Sequence, residues 1–205
     1  MNLQQLRHEL QNIDIYLLDQ IMKGRYLPGD KILDAGCGGG RNFFWFLKNH
    51  YDIYGVDVNG AALESLMQTA NSLGLTIPAD HLKTGDLQSL EFTDECFDHV
   101  ISSAVLHFAK SHEAFRQMFA EMVRVLKPGG ALFIRMTSNI GIENLVDEIE
   151  SGVHNIPDGS IRYLLTRSML DEIIQFHRLS FIEPLKTVNV ADERCMSTLV
   201  LRKSD

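Results

Sequence analysis

Cysteine is scarce in this 205-residue chain: Cys37, Cys96 and Cys195 are three, odd in number and widely spaced. That excludes a disulfide framework and CxxC metal spacing, and it suits a reducing, cytoplasmic setting. Basic residues are also in deficit, 19 against 27 acidic, for a net charge of −8. The broad positive field that sequence-independent nucleic-acid binding needs is missing, so no nucleic-acid partner is expected. Nowhere do about 18 apolar residues run together as a membrane span requires, and the N-terminus lacks the apolar core of a signal peptide. The expectation is a soluble, unprocessed chain with no membrane partner. There are no internal repeats and no low-complexity tract.

What is present is ordinary globular composition, 45% hydrophobic and 22% charged, at a length that supports one sizeable core. A single domain over residues 1–205 is expected. Within it, residues 1–29 form an N-terminal cap and residues 137–165 an insertion beside the ligand site.

The chain is organised around Ile32 to Asn42, where a short apolar run ends in Gly36, Gly38, Gly39 and Gly40. Glycines there let the backbone turn sharply and approach a ligand closely. An apolar segment, Asn42 to Leu47, follows, and as a helix it would aim free N–H groups into the crevice beside the turn. A strand, loop and helix that bind a nucleotide-like molecule fit this pattern, as does a plain tight connection.

Before this stretch, Leu3, Leu6, Leu10, Ile13, Leu17 and Ile21 recur at helical spacing, which predicts one amphipathic helix from Leu3 to Lys23. It either covers a sheet face or, through Asp14, Tyr16 and Asp19, acts as a lid. After it, apolar strands at 31–35, 52–56, 82–84, 97–102 and 131–136 alternate with helical segments at 42–49, 60–73 and 113–126. Nearly all-apolar strands alternating with helices predict a doubly wound, mostly parallel α/β sheet with helices on both faces. Leu126 to Gly130 reads as a turn. The segment 137–160 reads as irregular, with an acidic helical patch at 143–150, and 166–176 returns to helical spacing with Thr166 or Ser168 as N-cap. Residues 180–190 and 195–202 predict an antiparallel terminal hairpin, which completes a seven-stranded Rossmann-like sheet.

Asp57 ends the second strand 21 positions after Gly36, where a carboxylate can accept both hydroxyls of a ribose. Val58 follows it. Asp86, after the third strand, can accept the exocyclic amine of adenine while Leu87 packs on the ring, although Gly-Asp turns also occur for turn reasons alone. A dinucleotide fingerprint would want a third glycine where this chain has Arg41, which disfavours NAD and leaves an NAD-dependent oxidoreductase as the alternative. A phosphate-free adenosyl cofactor needs only close backbone approach, a ribose acceptor and an adenine site.

With these residues in view, the sequence resembles the class I S-adenosylmethionine-dependent methyltransferases. The likeness rests on Asp34 to Gly40, Asp57, Gly85-Asp86-Leu87, Phe97 to Ser103 and Val125 to Gly130, and covers roughly Lys31 to Met136. Gly40-Arg41-Asn42 and Arg162 to Arg167 are similar to the small-molecule group of the tellurite-resistance and methyltransferase-type-11 kind. The resemblance implies S-adenosyl-L-methionine as cofactor, S-adenosyl-L-homocysteine as product and methyl transfer to a small-molecule acceptor. It implies a cofactor site of Asp34, Gly36, Cys37, Gly38, Gly40, Asn42, Asp57, Val58, Asp86, Leu87, Ser102 and Ser103, the last two beside the methionine moiety.

Methyl transfer from a sulfonium is an in-line displacement, so positioning and desolvation can supply most of the acceleration. His107 is the candidate catalytic base, placed after the fourth strand and titrating near neutrality, with a core or surface histidine as the plain alternative. Arg41 and Arg135 are candidates to face the substrate and hold an anion, or else they pair with acidic side chains. His107 and His112 are misaligned by their spacing of five, no metal-ligand set is persuasive, and Cys37 fits a small packed residue better than a nucleophile. A non-catalytic cofactor-binding protein is a further alternative. Acceptor identity and oligomeric state are not legible in the sequence.

Overall fold

The computed structural model describes residues 2–205. Helix α1 (Leu3–Leu10) opens with a capping box in which Asn2 and Gln5 exchange side-chain-to-backbone hydrogen bonds, and α2 (Ile15–Met22) follows. The single predicted helix is thus broken. Gln11 takes a left-handed φ of 50°, and the Asp14 carboxylate caps α2 by accepting from the Tyr16 N–H at 2.9 Å. An Asp that bonds its own backbone offers the chain an alternative to continuing helix, and that local competition overrides the apolar stripe.

Strand β1 (Lys31–Ala35) leads through the glycine turn to α3 (Phe43–Lys48), followed by β2 (Asp52–Asp57), α4 (Gly60–Ser72), β3 (Leu82–Thr84) and β4 (Phe97–Ser103). A 3₁₀ turn, Leu106–Phe108, precedes α5 (His112–Val125). Next come β5 (Leu126–Ser138), a second 3₁₀ turn at Glu143–Leu145, and the short strands β6 (Asp147–Glu150), β7 (Val153–Asn155) and β8 (Ile161–Tyr163). The chain ends with α6 (Arg167–Phe176), β9 (Leu179–Phe181), β10 (Lys186–Val190) and β11 (Arg194–Lys203).

The main sheet has the order β10-β11-β5-β4-β1-β2-β3, parallel from β3 to β5 and antiparallel at β11 and β10. This is the doubly wound sheet with a reversed terminal hairpin that the sequence predicts. The predicted strand at 180–190 is split into β9 and β10, both of which pair with β11, so the sheet counts eight strands. The predicted turn at 126–130 lies inside β5 as a bulge: Phe97 pairs with Leu126, and the next pair is His99 with Ala131.

Alternate strand residues feed two cores, as the period of two requires. Leu33, Val100, Leu132 and Leu199 join α5 and α6 on one face, while Ile32, Ile101, Phe133 and Val200 join α2, α3 and α4 on the other. Side chains at helical spacing, Phe115, Phe119 and Met122 on α5 and Leu63, Leu66 and Ala70 on α4, supply the covering layers.

The segment expected to be irregular with a helical patch instead forms a second, three-stranded antiparallel sheet, β6-β7-β8. Its pairings join residues no more than ten positions apart, but the strands are short and β6 is exposed and acidic, so no apolar alternation announces them. The small sheet is tied to the end of β5 by the Thr137 hydroxyl, which donates to the Tyr163 carbonyl at 3.0 Å, and by the Leu165 N–H, which donates to the Thr137 carbonyl at 3.1 Å. On α5, His112 Nδ1 meets the Tyr163 hydroxyl at 3.0 Å.

The connection after β3 carries the expected adenine residues and is held to α5 by Arg124. Its guanidinium donates to the carbonyls of Phe92 at 2.8 Å and Leu90 at 2.9 Å while pairing with Glu121 and Asp94. Arg124→Ala is expected to cost about 2 kcal/mol, because two carbonyls and two carboxylates lose a charged donor together. Arg124→Lys restores only part of it, since an ammonium does not reproduce the fork. Urea unfolding of the two variants measures this, and a loss below about 0.5 kcal/mol for the alanine variant, the range of an ordinary surface change, contradicts it.

Candidate active site

Strand order reverses between β1 and β4, and the carboxyl ends of the strands leave a crevice at such a switch point. The glycine turn is bound to the end of β2: the N–H groups of Gly36 and Cys37 both donate to the Val56 carbonyl, at 2.8 and 3.1 Å. Gly36 has φ of +85°, and a Cβ there would collide with the Val105 side chain. A side chain at this position is excluded twice, by backbone conformation and by the wall opposite.

A cavity of about 590 Å³ lies in this crevice, within the range of small-molecule sites. Gly36 and Gly38 form one wall and Asp57 and Val58 the next. Asp86, Leu87 and Gln88 come from the loop after β3, Ser103, Ala104 and Val105 from the end of β4, and Phe108 and Met118 from beyond it. The Asp57 carboxylate accepts from the Gly38 N–H at 2.8 Å through one oxygen and from the Asn59 N–H at 2.9 Å through the other. Each oxygen keeps a free lone pair, so the group is oriented and still able to accept two hydroxyls. Asp86 accepts from the Gln88 N–H at 2.8 Å, the local turn that Gly-Asp sequences form, while also facing the cavity. Val58 and Phe108 leave 67% and 55% of their surfaces exposed on the cavity wall, apolar area that a nucleobase would cover.

Of the residues the sequence singles out for the cofactor, Gly36, Gly38, Asp57, Val58, Asp86, Leu87 and Ser103 line the cavity. Asp34, Cys37, Gly40, Asn42 and Ser102 do not. Strand alternation turns Ser102 wholly inward while its neighbour Ser103 faces the crevice. Gly40 serves packing, since a Cβ there would strike Phe44 and Leu66. Cys37 is buried against Gly55, and burial holds its thiol far above the usual range, which suits a packed residue. Asn42 accepts from the Asp14 N–H at 3.0 Å.

The two arginines expected to face substrate converge on Asp14, and Arg135 also lines the cavity that His107 faces. Arg41 donates to the Ser103 hydroxyl at 2.9 Å, Ser103 donates to Asp14 at 2.8 Å, and Arg41 and Arg135 stand 3.5 and 3.4 Å from the same Asp14 oxygen. A buried carboxylate between two guanidiniums is the pairing alternative, although the Arg135 Nε is left buried without a partner. Asp19, the other candidate lid acid, points elsewhere and pairs with Lys23 and Lys186.

His107 lies outside the first cavity. It faces a second one of about 240 Å³ that shares Ala104 with the first and is also walled by Arg135, Thr137, Ile156, Asp158 and Arg162. Ala104 itself has a left-handed φ of 64° and donates to the Arg135 carbonyl at 2.7 Å. Burial first, and then the charges of Arg162 and Arg135, pull the His107 pKa down to about 4. Its Nδ1 is buried with no hydrogen-bond partner. Val105, Phe108 and Met118 went unnoticed in the sequence; the turn after β4 was the available signal for the first two, and Met118 reads only as helix core.

The fold and this crevice define a class I S-adenosylmethionine-dependent methyltransferase architecture. Residues 33–134 match the methyltransferase domain family Methyltransf_11, and the chain belongs to that group. It is 34% identical over 123 residues to an uncharacterized methyltransferase of Bacillus subtilis, a match covering 60% of this chain and 47% of that protein. It is 29% identical over 151 residues to a phthiotriol/phenolphthiotriol dimycocerosates methyltransferase of Mycobacterium ulcerans, covering 73% and 51%. The matches thus span about half the length of these curated relatives. A solved S-adenosylmethionine-dependent methyltransferase from Methanosarcina mazei superposes with a TM-score of 0.73 at 22% identity, over 90% of this chain and 97% of that one, which shows a shared fold. The cofactor of the family is S-adenosylmethionine, and the glycine wall, the free lone pairs of Asp57 and the apolar faces of Val58 and Phe108 fit it. The nicotinamide alternative is not favoured.

Asp34 is fully buried beside this site with one oxygen unpartnered, and burial raises its pKa to about 7, partly offset by Arg41. Unfolded Asp releases its proton near pH 4, so between about 4 and 7 the native state binds more protons, and stability falls as pH rises through that window. Asp34→Asn abolishes this loss. In cofactor-free protein its Tm relative to wild type is expected to rise between about pH 5 and pH 8, and thermal unfolding showing the same difference at both values contradicts the assignment.

Proposed function

We propose that this chain transfers the methyl group of S-adenosylmethionine to a small-molecule acceptor, with the first cavity holding the cofactor and the second the acceptor. The observation that carries this reading is the pair of adjacent cavities that share Ala104 as a wall, one with the oriented Asp57 carboxylate and the other with His107. A protein that only binds the cofactor has no use for the second. Together, Gly36 and Gly38 give the backbone approach for the amino-acid end, Asp57 receives the ribose hydroxyls, and Asp86 and Leu87 receive the adenine.

Bound in that cavity, the cofactor supplies a methyl group on a sulfonium whose departure needs no acid. The work left to the chain is alignment and exclusion of water. Ala104, pinned in a left-handed conformation, keeps the wall between the cavities free of a large side chain. The N-terminal segment is fastened at Asp14 to Ser103 on the wall of the first cavity, while the β6-β7-β8 insertion covers the acceptor end. His107 is the titratable group on the acceptor side. With its pKa near 4 it is a neutral imidazole and a weak proton sink at neutral pH, which suits an acceptor atom that arrives unprotonated or nearly so. Cytoplasmic location is part of the same proposal, in keeping with the three unpaired cysteines. Among the described residues, no helix is long and apolar enough to cross a membrane.

Calorimetric titration with S-adenosylhomocysteine tests the cofactor half. The wild type is expected to bind, and Asp57→Ala to bind at least about tenfold more weakly, equivalent to about 1.4 kcal/mol for the two ribose hydrogen bonds. No heat with the wild type, or an unchanged affinity in the variant, overturns the reading.

A further inference from the structure

The second cavity has an electrostatic character opposite to that of the whole chain. Arg135, Arg162 and Arg194 reach its walls, and the one acidic side chain lining it is Asp158. The cations differ in how far they are already paired. Arg135 is matched by Asp14 at 3.4 Å. Arg194 approaches Asp158 only to 3.7 Å, beyond hydrogen-bonding distance, and one Asp158 oxygen is taken by the Ser160 N–H at 2.9 Å and its hydroxyl at 2.6 Å. Arg162 has no carboxylate within 4.0 Å among the described residues. It donates to the carbonyl of its neighbour Ile161 at 2.7 Å, and its guanidinium lies 5.1 Å from the centre of the Phe108 ring. Asp14 is shared between Arg41 and Arg135, so the cluster as a whole carries more positive than negative charge.

In a chain of net charge −8, a concave site with surplus guanidinium is a selective feature, because low-dielectric walls focus the field of the few charges inside. His107, about nine-tenths buried and with Nδ1 unpartnered, adds a polar group that nothing in the protein satisfies. Ile156 and Met196 supply apolar wall, which an inorganic ion would leave uncovered. The volume of about 240 Å³ corresponds to about eight waters at 30 Å³ each, room for a short organic chain or a single ring.

From these features we infer that the acceptor is a small organic carboxylate, its anionic group anchored by Arg162 on β8 and Arg194 at the start of β11, with its body against Ile156 and Met196. Guanidinium forks match the planar geometry of a carboxylate, and both arginines come from segments that only the fold brings to the site. The inference rests on the methyltransferase reading for the identity of the second cavity, and it assigns Arg162 and Arg194 as the residues that set acceptor class. Arg41 and Arg135, which share Asp14, are left to hold the N-terminal segment.

The test is calorimetry in two stages. S-adenosylhomocysteine is first titrated into wild type, Arg162→Gln and Arg194→Gln. Arg194→Gln is expected to match wild type within about twofold, since Arg194 lines only the second cavity. Arg162→Gln, which removes the guanidinium beside the Phe108 wall of the first, is expected still to bind the product, which also verifies folding. Failure of the wild type to bind at this stage overturns the cofactor reading alone. Butanoate, hexanoate and benzoate are then titrated into the protein, saturated with that product where it binds, alongside the matching amides and methyl phosphate. At least one carboxylate is expected to bind wild type, its amide at least about tenfold more weakly, and each variant to lose about tenfold for the carboxylate while leaving the amide unchanged. Equal binding of acid and amide, tighter binding of methyl phosphate, carboxylate affinity unaltered in both variants, or no binding by any carboxylate overturns the inference.

Discussion

The Asp14 carboxylate is the point on which the site depends. Its side chain is 2% exposed, and an isolated charge so buried would be very costly. It is tolerated because Ser103 donates to it, Tyr16 donates its N–H to it, and Arg41 and Arg135 stand on either side. These partners come from the turn after β1, the end of β4, β5 and the N-terminal segment. One carboxylate therefore fastens the N-terminal segment to both halves of the switch point, and the Asp14 N–H, donating to the Asn42 side chain, makes a second attachment.

That anchorage decides the roles of the other charges. Arg41 and Arg135 share Asp14, which leaves Arg162 and Arg194 as the arginines of the second cavity with no carboxylate at hydrogen-bonding distance among the described residues. The two cavities differ in their linings. The first is built from glycine backbone, an oriented Asp57 and apolar faces, and it suits a cofactor with a ribose and a ring. The second is built from side chains of the small sheet and β11, and it suits a compact polar acceptor. Ala104 stands between them in a conformation that few residues other than glycine adopt, a local strain held by its bond to the Arg135 carbonyl.

The glycine turn, Asp57, Val58, Asp86 and Leu87 were legible because each sits within a few residues of a strand end whose apolar run is plain in the sequence. Ser103 and Ser102 were legible only as a pair; which one reaches the crevice is a matter of strand phase. Asp34, Cys37, Gly40 and Asn42 share the motif but support it from behind. The broken N-terminal helix, the bulge inside β5 and the β6-β7-β8 sheet were missed for different reasons. A local Asp14 cap breaks the helix, the bulge is set by pairing with distant β4, and the strands of the small sheet are too short, with β6 exposed and acidic, to show an apolar alternation.

By itself, the sequence determined the alternation of strands and helices, the reversed hairpin, the position of the glycine loop and the acidic residues at the strand ends. Those features follow from hydrophobic period and glycine placement, which act over a few residues. Only the tertiary structure decided which arginines are free. Arg41 and Arg135 pair with a carboxylate up to 121 positions away in the chain, whereas Arg162 and Arg194 meet at one cavity from a folded insertion and the interior strand β11. Charge pairing depends on distance in space, and no spacing in a linear chain records it.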